Sequence, residues 1–142
     1  YHPTGDKTLL ATHSRELLKH GWKAHRGNLP AAYLTGYITG LKAKKQGITE
    51  AILDIGLANA VKGSAIFAAV KGMLDAGVHV PHSPDILPSD DRIYGKTIVA
   101  YAQTLRGQTT VQFSSYTKNG VDLAQFPTYI QNIKTKIQQQ WK

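Results

Sequence analysis

Apolar residues recur at helical spacing in several stretches of the chain. Leu34, Tyr37, Ile38 and Leu41 form one stripe and predict a helix over 29–46. Asn28 is a capping residue in front of it, Pro30 suits its first turn, and Gly47 follows its end. Ile66, Phe67, Val70, Met73 and Leu74 repeat the period and predict a second helix, starting at Ser64 and stopped by Gly77. A short helix is expected over 13–22, with Ser14 as cap and Gly21 as stop. Asp90 and Asp91 open another, over 92–106, with Ile93, Ile98, Tyr101 and Leu105 on its apolar side. Ile130, Ile133, Ile137 and Trp141 give a last helix one narrow apolar stripe.

Other stretches have strand character. Residues 7–12 read as a strand after the turn-forming Pro3, Gly5 and Asp6, and a turn there implies a partner strand before it. The run AILDI at 51–55 reads as a strand leading into the loop with Gly56, Lys62, Gly63 and Ser64, and Val78 to Val80 reads as the next strand. Strand, helix, strand predicts a right-handed parallel unit and hence an α/β fold. Gly36 and Gly40 lie inside the first long helix at a cost of about 1 kcal/mol each against alanine, which close packing on the sheet would offset. Residues 1–107 are expected to form the α/β domain, and 108–142 an irregular arm followed by the C-terminal helix.

The loop after AILDI sits where open α/β sheets bind anions, at a helix N-terminus. A Walker A loop needs G-x-x-x-x-G-K-[ST], whereas here Lys62 precedes Gly63. Nucleotide binding or phosphoryl transfer through Gly56–Ser64 is therefore the alternative reading, and contact with an RNA phosphate the preferred one. Asp54, Asp75, Asp90 and Asp91 fall on separate elements and form no cluster for two metals. His79 and His82 are separated by Pro81 and lack the residues of a zinc hydrolase motif. No nucleophile elbow is present. No enzyme activity, cofactor or metal is expected.

Charge sharpens this picture. Lysine and arginine outnumber aspartate and glutamate 17 to 9, for a net +8. Such an excess points to a polyanion partner. Residues 1–62 carry nine basic and four acidic side chains, so that half is the expected contact face. Lys23, His25 and Arg26 share a loop with Trp22, a composition suited to RNA. The absence of cysteine excludes a disulfide framework and cysteine-ligated zinc. No apolar run approaches the roughly 20 residues of a membrane span, so no membrane contact is expected.

Four separated blocks carry a family resemblance: GNLPAAYLTGYITGLKAKKQGI at 27–48, LDIGL at 53–57, KGSAIFAAVKGMLDAGVHVPHS at 62–83 and DDRIYGKTIVAY at 90–101. Together they resemble the 5S rRNA-binding protein family of the large ribosomal subunit, in its archaeal and eukaryotic branch. The tail FSSYTKNGVDLAQFPTYIQNIKTKI is similar to that branch's C-terminal extension. The resemblance implies a three-layer α/β/α fold with a mixed, mostly parallel sheet of ribonuclease-H-like topology, plus a C-terminal helical extension. It implies a structural role in the cytoplasmic ribosome, anchoring 5S rRNA in the central protuberance. The implied partners are 5S rRNA, large-subunit rRNA and neighbouring large-subunit proteins, including the other 5S-binding protein. It carries the loop at Gly56–Ser64 and the segment at Gly27-Asn28 over as phosphate-facing. The candidate rRNA contacts are Arg15, Lys23, His25, Arg26, Gly27, Asn28, Lys62, Gly63 and Ser64. Ala65 departs from the basic residue common in relatives, and the family's basic arm and first strand, on the order of 50 residues, are not in this sequence.

Overall fold

The computed structural model describes residues 3–104 and 125–141. A 3₁₀ helix, Ser14–His20, is followed by α1 (Leu29–Lys45), α2 (Ala65–Ala76), a 3₁₀ turn at Pro84–Ile86, α3 (Asp90–Ile93), α4 (Lys96–Thr104) and α5 (Phe126–Gln140). Asn28 is extended and its Oδ1 accepts the Ala31 N–H at 3.0 Å, which starts α1 as the sequence predicts. Gly77 ends α2 in the left-handed region, at φ +101, and its N–H donates to Leu74 O at 3.0 Å.

α1 and α2 pack with their backbones in contact. A Cβ added at Gly36 would lie 2.0 Å from the Ala69 carbonyl oxygen, and one at Gly72 would lie 2.1 Å from that of Tyr33. At Gly40 it would lie 2.6 Å from the Ala76 Cβ. Gly36 and Gly40 are thus required by a neighbouring helix, not by a sheet. Tyr33 donates its hydroxyl to Asp75 Oδ2 at 2.5 Å across the pair. Burial, and then that hydrogen bond and the carboxylate's charge, push the phenol well above its ordinary pKa.

This arrangement corrects the expected three-layer α/β/α fold. Helices account for more than half of the described residues, and no strand or sheet occurs among them. The expected parallel pairing contracts to a single bridge between Glu50 and His79. Ala51 N–H donates to His79 O at 2.9 Å, and His79 N–H donates to Thr49 O at 2.8 Å. Beyond the bridge AILDI finds no layer to cover it: Ile52 is 90% exposed. A parallel strand is stable when both faces are buried, and here the helices bury their apolar stripes against one another instead. Residues 7–12 are likewise held by side chains without a ladder. Lys42 Nζ donates to Ala11 O at 3.0 Å and Gln46 Nε2 to Leu9 O at 3.3 Å.

The core has two parts. Phe67, Val70, Val78 and Val80 pack with Ala43 in one. In the other, Ile130, Ile133 and Ile137 of α5 pack with Leu17, Trp22, Leu34 and Ile38, joining the C-terminal helix to α1 and the first 3₁₀ helix. The helix expected over 92–106 is instead two, α3 and α4. Gly95 separates them at φ +72, and an added Cβ there would lie 2.6 Å from Phe126 Cδ1. The irregular stretch expected from 108 lies outside the described residues as far as 124.

Alanine in place of an exposed helical glycine ordinarily stabilises by about 1 kcal/mol. At Gly36 and Gly72 the backbone clash should dominate. Gly36→Ala and Gly72→Ala are each expected to lower unfolding free energy by about 1–3 kcal/mol, measured by chemical denaturation.

Candidate nucleic-acid interface

The loop from Gly21 to Asn28 is fastened to α5. Trp22 is 1% exposed and stacks on Tyr129, with ring centroids 5.5 Å apart. Its Nε1–H donates to His25 O at 3.3 Å. Lys23 N–H donates to the Tyr129 hydroxyl at 2.6 Å, and that hydroxyl donates to Gly21 O at 2.9 Å. Ala24 is also buried, whereas Lys23, His25 and Arg26 are exposed. The backbone is therefore held from the protein side while the basic side chains meet solvent.

The other wall comes from the 3₁₀ helix. His13, not the expected Ser14, occupies its cap position: His13 Nδ1 accepts the Arg15 N–H at 3.1 Å, and His13 N–H donates to Glu16 Oε1 at 3.3 Å. Glu16 Oε2 also pairs with Lys42 Nζ at 2.7 Å. Desolvation pushes the Glu16 carboxyl up, but the Lys42 and His13 hydrogen bonds and the charges of Lys42 and Lys19 together hold it below the usual carboxylate range.

Between the two walls lies a cavity of about 640 Å³. Five of the nine sequence-predicted residues line it: Arg15, Lys23, His25, Arg26 and Gly27. Asn28 adjoins it as the cap of α1. Among the described residues no aspartate or glutamate lines the cavity, while three permanent cations do. A Cβ at Gly27 would lie 2.8 Å from Cε1 of the exposed His25 ring, which would have to shift. Sequence reasoning missed His13, Leu18 and Tyr129. Leu18 follows the buried Leu17 but is 55% exposed in the cavity wall. Tyr129 stands beside the isoleucine stripe of α5, and nothing local links it to residue 22.

Lys62, Gly63 and Ser64 do not line the cavity. Lys62 Nζ pairs with Asp85 Oδ2 at 2.5 Å, with both side chains largely exposed. Gly63 is buried at φ +68; its N–H donates to Ile86 O at 2.9 Å and its carbonyl accepts from Arg92 Nη1 at 3.1 Å. Ser64 precedes α2 without a side-chain capping bond, and its Oγ is buried without a hydrogen-bond partner. The loop is thus closed by residues 85–92, and the lysine and amide that the nucleotide reading would use are already engaged. Among the described residues no group of three or more His, Asp or Glu side chains could hold a metal ion, and no helix is long and apolar enough to cross a membrane.

Two outcomes follow from the clamp. Tyr129→Phe removes both hydroxyl bonds and leaves the Lys23 N–H without its acceptor, so it should destabilise the protein by about 1–3 kcal/mol. The Lys23 amide should exchange faster with deuterium. Glu16 has a lower pKa folded than unfolded, so its contribution to stability is present above the unfolded value and lost as pH falls through the folded one. Thermal melts should therefore show Glu16→Gln losing less stability than wild type as pH drops below about 4.

Residues 39–83 match the family model described as ribosomal large subunit proteins 60S L5, and 50S L18. The match spans the second half of α1, the Lys62 loop, α2 and the bridge at His79. The cavity residues, 13–27, precede it. Over this stretch the chain resembles large-subunit ribosomal proteins of the 5S-binding family.

Proposed function

We propose that this chain binds 5S rRNA and helps anchor it in the central protuberance of the large ribosomal subunit, with the cavity between residues 13 and 27 as its main contact. The observation that carries this reading is the wall containing Arg15, Lys23 and Arg26 and, among the described residues, no carboxylate. The family match supplies the ribosomal setting. Large-subunit rRNA and neighbouring large-subunit proteins, including the other 5S-binding protein, complete the proposed surroundings in the cytoplasmic ribosome.

The affinity is electrostatic. Each phosphate neutralised by a lysine or arginine releases condensed counterions, so binding weakens as salt rises. A loop already fixed to α5 loses little conformational freedom on binding. Lys62, Gly63 and Ser64 form a subsidiary contact. A phosphate reaching Lys62 must displace Asp85, whose carboxyl lies below its ordinary range because of the hydrogen bond to Lys62 and then that residue's charge. This surface pair is weak and screened by salt, so an RNA phosphate can replace the aspartate.

Filter binding to 5S rRNA at several salt concentrations tests the assignment. Replacing Arg15, Lys23 and Arg26 together by alanine should weaken binding and reduce the salt slope by about three units. An unchanged slope contradicts the cavity as the main contact. Lys62→Ala should weaken binding more in an Asp85→Asn background than in wild type, and equal effects in both would remove Asp85 as a competitor.

A further inference from the structure

His13 and His25 share one arrangement. In each, Nδ1 accepts the backbone N–H of the residue two positions on: Arg15 at 3.1 Å and Gly27 at 3.1 Å. An asparagine closes the same kind of turn with its side-chain oxygen. An accepting ring nitrogen carries no proton, so the neutral imidazole bears its hydrogen on Nε2. A second proton on Nδ1 would face the backbone N–H. The His25 backbone is held further, because its carbonyl accepts from Trp22 Nε1 at 3.3 Å, and its ring lies 2.8 Å from where a Cβ on Gly27 would stand. Both side chains are exposed and both line the cavity.

What the imidazole supplies beyond the turn is one uncharged donor on Nε2. We infer that His13 and His25 hydrogen-bond RNA phosphate oxygens through Nε2–H as neutral groups, beside the cations that neutralise the phosphates. This assignment rests on the proposed RNA-binding role of the cavity. A neutral donor releases no counterion, so it adds affinity without adding to the salt slope. It differs in this from Arg15, Lys23 and Arg26, and from a histidine acting as an imidazolium.

Paired substitutions separate the two nitrogens. Asparagine keeps an acceptor for the turn and withdraws the donor from the Nε2 position, its own amide N–H groups lying closer to the backbone where the ring's Cδ2 was. Glutamine keeps a donor near the Nε2 position and removes the turn acceptor. His13→Asn with His25→Asn should reduce affinity of the full chain for 5S rRNA by about tenfold or more, leaving the salt slope and melting temperature unchanged. The corresponding glutamine pair should lose less affinity. Wild-type affinity in the asparagine pair overturns the inference, as does a slope lowered by about one unit per histidine. Long-range ¹⁵N–¹H correlation spectra of the free protein at neutral pH give a readout that needs no RNA. Nε2–H tautomers are expected at both positions, and an Nδ1–H tautomer at either contradicts the assignment. A wild-type chain without affinity for 5S rRNA overturns the RNA-binding proposal and this inference together. Binding by wild type with silent asparagine variants overturns this inference alone.

Discussion

The backbones of α1 and α2 meet at Gly36 and Gly72, and the rest of the described structure is arranged around that contact. No side chain larger than hydrogen fits at either point, because a carbonyl oxygen of the opposing helix lies about 2 Å from where a Cβ would stand. The approach leaves another part of α1 to be covered from a different direction. α5 covers it through Ile130, Ile133 and Ile137, and Lys134 sets its ammonium over the rings of Tyr33 and Tyr37 at 5.3 and 5.2 Å. Once seated, α5 brings Phe126 and Tyr129 to Trp22. Core packing and the basic loop are thus linked. The helix that completes the apolar cluster also fixes the backbone from which Lys23, His25 and Arg26 extend.

Helix positions were legible because their apolar period is local. The stripes through Leu34, Ile38 and Leu41 and through Phe67 and Val70 belong to the helices they predict. The sheet was misread for a related reason. AILDI has the composition of a buried strand, but composition does not reveal whether a layer exists to bury it, and Ile52 and Leu57 remain exposed. The cost of Gly36 and Gly40 correctly signalled a close contact, while the identity of the partner required the three-dimensional structure. The break between α3 and α4 is similar. Gly95 accommodates Phe126, some thirty residues later in the chain.

The candidate site was legible in its charges and not in its assembly. Lys23, His25 and Arg26 beside Trp22 already had the composition of an RNA-contacting loop. Their juxtaposition with His13 and Arg15 depends on the 3₁₀ helix and on Tyr129, which is distant in sequence. The Lys62 loop was read as a phosphate contact from its place before a helix. Position alone does not show that Asp85 holds the lysine, or that Ile86 and Arg92 occupy the Gly63 peptide groups. Basic residues suggest a polyanion partner, and the packing determines which of them stand together.

In the proposed role, 5S rRNA rests chiefly on the cavity between residues 13 and 27, with the Lys62 loop subsidiary. Ultraviolet crosslinking of the full chain bound to 5S rRNA, followed by mass spectrometry of the nucleotide-bearing peptides, tests it most directly. Most crosslinked peptide should fall within residues 13–28, with a smaller share around Lys62. Crosslinks confined to residues 56–64, with none in 13–28, would contradict it.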